Sequence, residues 1–275
     1  MGKARVLGKI KLVASDLDGT LLLNWDKNGI DPVLFDQVRE LKRRGVYFLA
    51  ASGRQYYNLR NLFAPVADDI LYLCENGSLV MKDGEVLVKA SMPADVALEA
   101  CRAVMANPRL SLLVSGVHTN YAFASEPGFI DHLRNFVGTR TTPIESLEDI
   151  PEDMIKVSFY AKDPADLDAA VPAFEERFGD ALKVVTSGAS WFDMMPKGVD
   201  KGTAMAAIGR EVGIDAADML AFGDNFNDAE MLDFVGHPYL MESGRRELRG
   251  LNDRIELCST VVGCLNDLMN NSEVF

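Results

Sequence analysis

The sequence predicts an α/β fold in which a parallel sheet is covered by helices on both faces. Its strand-like segments, such as VYFLAA at 46–51, are apolar at every position, which is typical of strands buried on both sides. Segments with helical periodicity alternate with these strands, as in proteins that carry a parallel sheet. This alternation is interrupted between about residues 87 and 187. We therefore expect a core made of residues 1–86 and 188–275, and an inserted α/β unit at 87–187.

The first part of the core is expected to alternate strands and helices. Asp31 and Pro32 have the residue types of a helix N-cap and a first helical position, and Gly45 ends the helical pattern that follows. The pairs Asn76-Gly77 and Asp83-Gly84 are typical of hairpin turns. The predicted elements are strands at 10–16, 46–51 and 70–74 and helices at 32–44 and 54–63.

The inserted unit is expected to combine short strands with helices. Pro172 lies within one helical segment, where it either kinks the helix or starts a second one. The predicted helices lie at 94–106, 128–137 and 165–178, and the predicted strands at 110–115, 120–124, 155–161, 182–186 and 190–195. The core pattern then returns, with helices at 201–212 and 228–235 and a strand at 219–224.

Composition limits the partners of this protein. Hydrophobic residues make up 48% of the 275 residues and charged residues 25%, which is an ordinary globular balance. Lysine and arginine number 28 and aspartate and glutamate 41, so the formal net charge is −13. Such a charge disfavours binding to nucleic acid and to anionic membranes. If the substrate is an anion, the positive charge that binds it must be local.

The four cysteines have no CxxC or zinc spacing, and we expect them to be buried, reduced thiols. They are Cys74, Cys101, Cys258 and Cys264. The N-terminal segment is basic but lacks the apolar stretch of a signal peptide, and no apolar run reaches the length of a membrane span. We therefore expect a cytoplasmic protein that is a monomer or a weak dimer.

The stretch VASDLDGTLLL at 13–23 ends an apolar strand on two aspartates. Because side chains alternate along a strand, Asp16 and Asp18 share one face. Two carboxylates this close repel each other, so that either one holds a proton or a cation lies between them. The pair indicates either an ordinary polar turn or a metal or phosphoryl site.

Three further stretches place polar groups after strands or at a helix start. Ser52, Gly53 and Arg54 follow the second strand, and GDNFND at 223–228 follows a later one. Lys201 lies in the first turn of a helix, where the helix dipole disfavours a cation unless an anion binds there. Because ligands of open parallel sheets bind at the carboxyl ends of the strands, these groups are expected to converge. Carboxylates there suit Mg²⁺, and the donors suit a phosphate.

Taken together and in this order, DLDGTLL, ASGR, VDKG and GDNFND resemble the four motifs of the haloacid dehalogenase superfamily of phosphatases. The position of the insertion, after the second motif, is similar to that of the Cof-type subfamily with a class IIB cap. The resemblance implies a Rossmann-like core, an inserted cap domain that acts as a mobile lid, and dependence on Mg²⁺.

The resemblance also implies roles for the carboxylates. Asp16 is expected to be the nucleophile that forms an aspartyl phosphate. Asp18 is expected to protonate the leaving alcohol and then to activate water, which requires a raised pKa. Asp224 is expected to bind Mg²⁺ together with the Asp16 carboxylate and the Asp18 backbone carbonyl. Asn227 and Asp228 are expected to support the metal waters and Lys201, and Asp228 is equally suited to cap the next helix.

The expected phosphate ligands are Ser52, the Gly53 amide and Lys201. Lys197 is a rival for Lys201, but Lys201 opens the helix and matches the family position. Arg54 either contacts phosphate or is a solvated helix residue. His118 is interpreted as an ordinary loop residue in preference to one that faces the substrate, and Trp191 and Phe192 as packing residues in preference to residues that line the cleft. His132 and His237 have no partner visible in the sequence.

These observations predict a magnesium-dependent phosphatase that hydrolyses small phosphate monoesters, such as sugar phosphates. A sugar phosphomutase of the same superfamily is the alternative, because both activities share the core motifs. A mutase would need a second anion-binding group in the cap, and the basic residues there are scattered through the sequence. A non-catalytic sensor of a phosphorylated metabolite is a further alternative, although Asp16, Asp18 and Lys201 are all present.

Overall fold

The computed structural model describes residues 10–23, 29–187 and 190–270, with the backbone alone at 186 and 187. The strands, numbered along the chain, are β1 (Leu12–Asp16), β2 (Tyr47–Ala51), β3 (Leu71–Cys74), β4 (Leu79–Lys82), β5 (Glu85–Lys89), β6 (Leu110–Ser115), β7 (Asn120–Phe123), β8 (Thr141–Pro143), β9 (Lys156–Ala161), β10 (Leu182–Ser187), β11 (Trp191–Pro196), β12 (Met219–Gly223), β13 (His237–Met241) and β14 (Glu256–Cys258). The α-helices are α1 (Pro32–Arg43), α2 (Tyr56–Leu62), α3 (Ala94–Met105), α4 (Phe129–Asp131), α5 (Pro164–Phe178), α6 (Lys201–Val212), α7 (Ala229–Phe234) and α8 (Val261–Met269).

The chain divides into two compact units, which are Met1–Val88 with Asp200–Phe275, and Lys89–Val199. The first unit holds an eight-stranded sheet in the order β14-β13-β12-β1-β2-β3-β4-β5. The strands from β14 to β3 are parallel, and β4 is antiparallel to β3. This order is that of a Rossmann-like sheet, which confirms the predicted fold class.

Burial on both faces explains why the core strands are apolar throughout. Leu12 and Ala14 of β1 pack with Met205 and Ile208 of α6 in one hydrophobic cluster. The opposite face carries Phe48 of β2, whose ring lies 6.2 Å from that of Phe63 at the end of α2. Helix α1 begins as expected, because the Asp31 carboxylate accepts a hydrogen bond from the Val33 amide at 2.9 Å.

The parallel arrangement brings three strand ends to the same edge of the sheet. Strand β1 ends at Asp16, β2 ends one residue before Ser52, and β12 ends one residue before Asp224. The register pairs Asp16 with Ala51, so that these two strands end level with each other. The polar residues that follow the strands are therefore neighbours in space, as expected for this topology.

The second unit is built on a six-stranded sheet in the order β10-β11-β9-β6-β7-β8. Its main hydrophobic cluster joins the sheet to α3 and α5 and includes Phe159, Phe174 and Phe192. The unit ends at Val199 rather than at the expected 187, because β10 and β11 form an antiparallel hairpin and β11 also pairs with β9. A boundary at 187 would divide that hairpin.

Two helical predictions in the second unit are refined by the structure. The segment expected as one helix at 128–137 is a short α-helix followed by a π-helix at His132–Val137. Pro172 lies within the continuous helix α5, so it does not start a second helix. Within the described ranges, no helix is both long and apolar enough to cross a membrane.

The expectation that all four cysteines are reduced is wrong for two of them. Cys258 at the end of β14 and Cys264 in α8 form a disulfide, with 6.4 Å between their Cα atoms. The sequence did not reveal this pair, because its spacing matches no common motif and the turn between β14 and α8 brings the residues together. Cys74 and Cys101 are free and buried. Burial raises the pKa of the Cys101 thiol to about 12, so this thiol is unreactive.

Candidate active site

A tight turn after β1 fixes the first two aspartates and ties them to Asp224. The Leu17 carbonyl accepts hydrogen bonds from the amides of Leu21 and Leu22, at 3.0 and 2.8 Å. Gly19 has a φ of +97°, and a β-carbon there would collide with the Asp224 carboxylate. Glycine at this position therefore serves two purposes. It allows the left-handed turn and leaves room for Asp224.

Lys201 lies at the centre of the site and is fully buried. Its Nζ donates to Oδ1 of Asp16 at 2.5 Å, to Oδ1 of Asp228 at 2.6 Å and to the Ala51 carbonyl at 3.2 Å. Asp200 caps the helix by accepting from the Thr203 amide, which places Lys201 at the first helical position. The expected conflict between a cation and the helix dipole is offset here by two carboxylates.

Asp228 is placed to orient Lys201 and the loop after β12. Its Oδ2 accepts from the amides of Asp224 and Asn225, at 2.9 and 3.1 Å, and its Oδ1 accepts from Lys201. The sequence suggested both a supporting role and an N-cap role for this residue. The side chain makes no capping bond to α7, which begins at Ala229. Its bond to Lys201 agrees with the supporting role, and its bond to the Asn225 amide completes a capping box on the short 3₁₀-helix at Phe226–Asp228.

The site carries more negative charge than Lys201 balances. Burial raises the pKa of the Asp16 carboxyl well above its usual range, and the charge of Asp228 raises it further, while Lys201 opposes both. Burial also raises the pKa of the Asp224 carboxyl, although a hydrogen bond from Thr20 acts to lower this pKa. Burial alone would lower the pKa of Lys201, but the charges of Asp16 and Asp228 outweigh burial and raise it.

This chemistry fits a divalent cation. Asp16, Asp224 and Asp228 each bring a carboxylate oxygen within 4.8 Å of the others. Because both oxygens of Asp228 are engaged by Lys201 and backbone amides, Asp16 and Asp224 remain as the carboxylates available to a metal. Hard oxygen ligands of this type suit Mg²⁺, and a cation would stabilise the crowded charges.

The Arg54 guanidinium forms an ion pair with the Asp18 carboxylate instead of extending into solvent. Its Nη2 and Nε donate to the two Asp18 oxygens at 2.6 and 2.9 Å, and its Nη1 donates to Asn58 at 3.1 Å. The amide of Arg54 also donates to the Ser52 hydroxyl at 3.2 Å. The interpretation of Arg54 as a solvated helix residue is therefore wrong. Ser52 itself is buried, directly after β2.

A turn that the sequence marked only as a hairpin connects three of the four motif loops. Glu75, Asn76 and Gly77 all have positive φ, at 50°, 54° and 110°. The Asn76 amide donates to the Ser52 carbonyl at 3.1 Å, and a β-carbon on Gly53 would lie 3.0 Å from the Asn76 side-chain amide. This left-handed turn therefore packs tightly against the Ser52–Gly53 loop.

The other side of the same turn packs against two further motif loops, which carry Asn227 and Asp200. The Asn227 side chain donates to Oδ1 of Asn76 at 3.4 Å, and a β-carbon on Gly77 would collide with the Asp200 carbonyl. Asn227 is exposed, and its side chain is hydrogen-bonded to Asn76 and not to the cluster of aspartates. Consecutive positive φ values at non-glycine residues were the feature that sequence reasoning missed. Such strain clusters at functional sites.

The remaining candidates lie outside this cluster. Lys197 is exposed in the turn after β11 and belongs to the second unit, unlike Lys201. Phe192 is fully buried in the core of the second unit, as expected for a packing residue. His118 is exposed, and His132 stacks on Phe136 with 5.1 Å between ring centroids. His237 is buried within β13.

The chain combines a parallel α/β core, a group of aspartates at one edge of its sheet and an inserted α/β unit. The model of the haloacid dehalogenase-like hydrolases matches residues 13–260, which is most of the chain. The chain therefore belongs to this family, and within it the chain is a Cof-type phosphatase.

Relatives of similar length carry phosphatase names. The 5-amino-6-(5-phospho-D-ribitylamino)uracil phosphatase YbjI of Escherichia coli K12 is 26% identical over 234 residues, covering 85% of this chain and 86% of its own. The HMP-PP phosphatase of Escherichia fergusonii is 26% identical over 242 residues, with coverages of 87% and 86%. A haloacid dehalogenase-like hydrolase from Bacteroides thetaiotaomicron shares the fold, with a TM-score of 0.82, 21% identity and coverages of 94% and 99%.

Proposed function

We propose that the protein is a magnesium-dependent phosphatase that hydrolyses small organic phosphate monoesters through an aspartyl phosphate on Asp16. The observation that carries this proposal is the placement of Asp16 at the end of β1, with Oδ1 held at 2.5 Å by the buried Lys201. A carboxylate whose orientation is fixed in this way is preorganised to attack phosphorus. Asp16 and Asp224 would hold the Mg²⁺, which when bound would neutralise part of the charge on the substrate phosphate.

The chemical step is a displacement followed by hydrolysis. An oxygen of Asp16 forms a bond to phosphorus while the bond to the ester oxygen breaks, and Asp18 gives its proton to the departing alkoxide. A water molecule then attacks the phosphorus of the aspartyl phosphate, and Asp18 takes a proton from that water. The phosphoryl–Asp16 bond breaks, inorganic phosphate leaves, and Asp16 and Asp18 return to their starting forms.

Arg54 has a place in this scheme because of its partner. In the structure its guanidinium pairs with the Asp18 carboxylate. A substrate phosphate offers Arg54 a second anionic partner of suitable geometry. We infer that Arg54 shifts toward the phosphate when substrate binds, which frees Asp18 to carry the proton it must donate. Ser52 and the Gly53 amide would contribute further donors to the phosphoryl group. Lys201 would act through its charge, because its three ammonium hydrogens are donated to Asp16, Asp228 and the Ala51 carbonyl.

The relatives support a small substrate. YbjI is named for a ribitylaminouracil phosphate and the other relative for HMP-PP. We infer that this chain also acts on small phosphorylated metabolites, with selectivity provided by residues of the second unit.

A phosphate-release screen tests this proposal. Purified protein would be assayed with Mg²⁺ against sugar phosphates, sugar-alcohol phosphates, nucleotides, cofactor phosphates and p-nitrophenyl phosphate. We expect turnover of at least one small metabolite phosphate and of p-nitrophenyl phosphate when Mg²⁺ is present. In excess chelator we expect no turnover of either substrate. Absence of phosphate release across the whole panel, or undiminished turnover without metal, would contradict the proposal.

A further inference from the structure

Three contacts from different parts of the core position Asp224. Its amide donates to Oδ2 of Asp228 at 2.9 Å, and its Oδ1 accepts from the Thr20 hydroxyl at 2.9 Å. Its carbonyl accepts from the Arg245 amide at 2.8 Å. Thr20 and Asp228 belong to two of the four sequence motifs, whereas Arg245 lies outside all of them. The contact between Arg245 and Asp224 therefore calls for a separate explanation.

The loop after β13 packs closely against the backbone of Asp224. The Gly244 amide donates to the Met241 carbonyl at 2.9 Å, which turns the chain back at the end of the strand. A β-carbon on Gly244 would lie 2.7 Å from the Asp224 carbonyl oxygen and 2.9 Å from its Cα atom, which is closer than real side chains allow. Arg245 therefore follows a point at which the two backbones are in direct contact.

The side chain of Arg245 contacts the next two residues of the loop that carries Asp224. Its Nε donates to Oδ1 of Asn225 at 3.2 Å, and its guanidinium carbon lies 5.5 Å from the centroid of the Phe226 ring. A guanidinium at that distance is within the range of a cation–π interaction. Oδ1 of Asn225 also accepts from the Phe226 amide at 2.9 Å. Arg245 thus contacts three consecutive residues, from Asp224 to Phe226.

Burial contributes little to the order of this part of the loop. Asn225 is exposed, and Phe226 is 52% exposed. Loop segments with few buried contacts open most readily, and this one begins at an aspartate that is available to a metal. The contacts of Arg245 supply a restraint that the hydrophobic core does not.

A favourable effect of Arg245 on metal binding cannot come from its charge. The side chain is exposed, and a cation near a Mg²⁺ site repels the ion or, when solvent screens it, has little effect. Any gain in metal affinity must therefore come from the conformation that Arg245 imposes on Asp224. Residues that orient a metal ligand typically change metal affinity by about 10- to 100-fold when they are replaced.

We propose that Arg245 is a positioning residue for the metal site, which holds the segment from Asp224 to Phe226 in the conformation that binds Mg²⁺. This inference rests on the proposed function, in which Asp224 is a ligand of the ion. Arg245 bonds to the backbone of Asp224 and not to its carboxylate. We therefore expect its contribution to lie near the lower end of that range, at about tenfold in affinity.

Two substitutions of Arg245 separate its geometry from its charge. Arg245→Gln removes the guanidinium and leaves the backbone amide that bonds to Asp224. Arg245→Lys keeps the positive charge but lacks the planar guanidinium that stacks on Phe226 and bonds to Asn225. Arg246→Gln, at the next residue, which is also exposed, is the matched control. Calorimetric titration of Mg²⁺ into each chelator-treated protein measures the dissociation constant, and turnover of p-nitrophenyl phosphate at saturating Mg²⁺ measures kcat.

We expect Arg245→Gln and Arg245→Lys each to raise the dissociation constant of Mg²⁺ about tenfold, and Arg246→Gln to leave it unchanged. At saturating Mg²⁺, kcat of all three variants should stay within about twofold of the wild type, because the bound ion restores the position of Asp224. Without Mg²⁺, their melting temperatures should stay within about 2 °C of the wild type, since the substituted side chains are exposed. A merely structural role would lower the melting temperature and leave the dissociation constant unchanged.

An unchanged dissociation constant in both Arg245 variants would overturn the inference. Tighter binding by Arg245→Gln would also overturn it, because repulsion by the charge of Arg245 would then be the dominant effect. Wild-type affinity in Arg245→Lys together with weak binding in Arg245→Gln would do the same, since the charge alone would suffice. In each of these cases the wild type still binds Mg²⁺, so the proposed function stands. A wild type that neither binds Mg²⁺ nor depends on it for turnover would contradict the proposed function itself.

Discussion

Arg54 donates two hydrogen bonds to Asp18, one to each carboxylate oxygen, at 2.6 and 2.9 Å from two nitrogens of its guanidinium. The two residues follow neighbouring parallel strands, β2 and β1, and so reach the same edge of the sheet. The pair links the proposed general acid to a cation that can also bind phosphate.

Arg54→Ala should weaken phosphate binding if Arg54 moves to the substrate. We expect KM for p-nitrophenyl phosphate and the inhibition constant of inorganic phosphate each to rise about tenfold or more, because a charge-assisted contact is lost. Arg60→Ala is the control, in the helix that follows Arg54, since Arg60 binds Asp68 and the Ala67 carbonyl. Steady-state kinetics with added phosphate measure both constants. Equal constants in the two variants would show that Arg54 does not contact phosphate.

Lys201→Met should abolish turnover and weaken the fold. The substitution leaves Asp16 and Asp228 buried without their cation, and breaking a buried ion pair in this way costs about 3 kcal/mol or more. We expect at least about a thousandfold loss of kcat/KM and a lower melting temperature. Lys197→Met serves as the control, because Lys197 is exposed. A Lys197 variant that loses activity while the Lys201 variant keeps it would reverse the assignment.

Mg²⁺ should stabilise the folded protein through Asp224. At saturating Mg²⁺ we expect the melting temperature of the wild type to rise by about 5 °C, because the ion binds only the folded state. Asp224→Asn should lose this rise along with activity, whereas Asp215→Asn, at an exposed carboxylate, should keep both. Thermal denaturation with and without Mg²⁺ provides the measurement. A full Mg²⁺ response in the Asp224 variant would place the metal elsewhere.

We expect the side chain of Asn76 to contribute more to kcat than its left-handed backbone conformation does. Asn76→Gly tolerates the φ of 54° and removes the contacts with Gly53 and Asn227. We expect kcat to fall about tenfold with little change in melting temperature, because the loop that carries Gly53 loses a packing partner. Asp83→Gly makes the same exchange at a φ of 52° in the next hairpin and should keep full activity. Equal kcat values in the two variants would make the Asn76 turn purely structural.

The sequence was sufficient to predict which residues lie at the ends of the strands. It was not sufficient to predict which loops contact one another. Asp16, Ser52 and Asp224 could be placed at one edge because each follows an apolar strand of a parallel sheet. Lys201 could be found because a cation in a first helical turn requires an anionic partner.

The partner of Arg54 and the role of Asn76 depended on details that a single sequence does not carry. The ion pair with Asp18 depends on the register between β1 and β2. The left-handed turn at 75–77 uses Glu75 and Asn76 at positive φ, which composition alone does not indicate for a glutamate.

Trapping of a phosphoryl group on Asp16 tests the central claim most directly. Protein mixed with Mg²⁺ and its best substrate would be quenched in acid during turnover and digested for mass spectrometry. We expect the peptide that contains Asp16 to gain the mass of one phosphoryl group, and the label to be absent from Asp16→Asn, which should remain folded and lose at least about a thousandfold in turnover. A fully active Asp16→Asn enzyme, or a label on another residue that persists in this variant, would contradict covalent catalysis by Asp16.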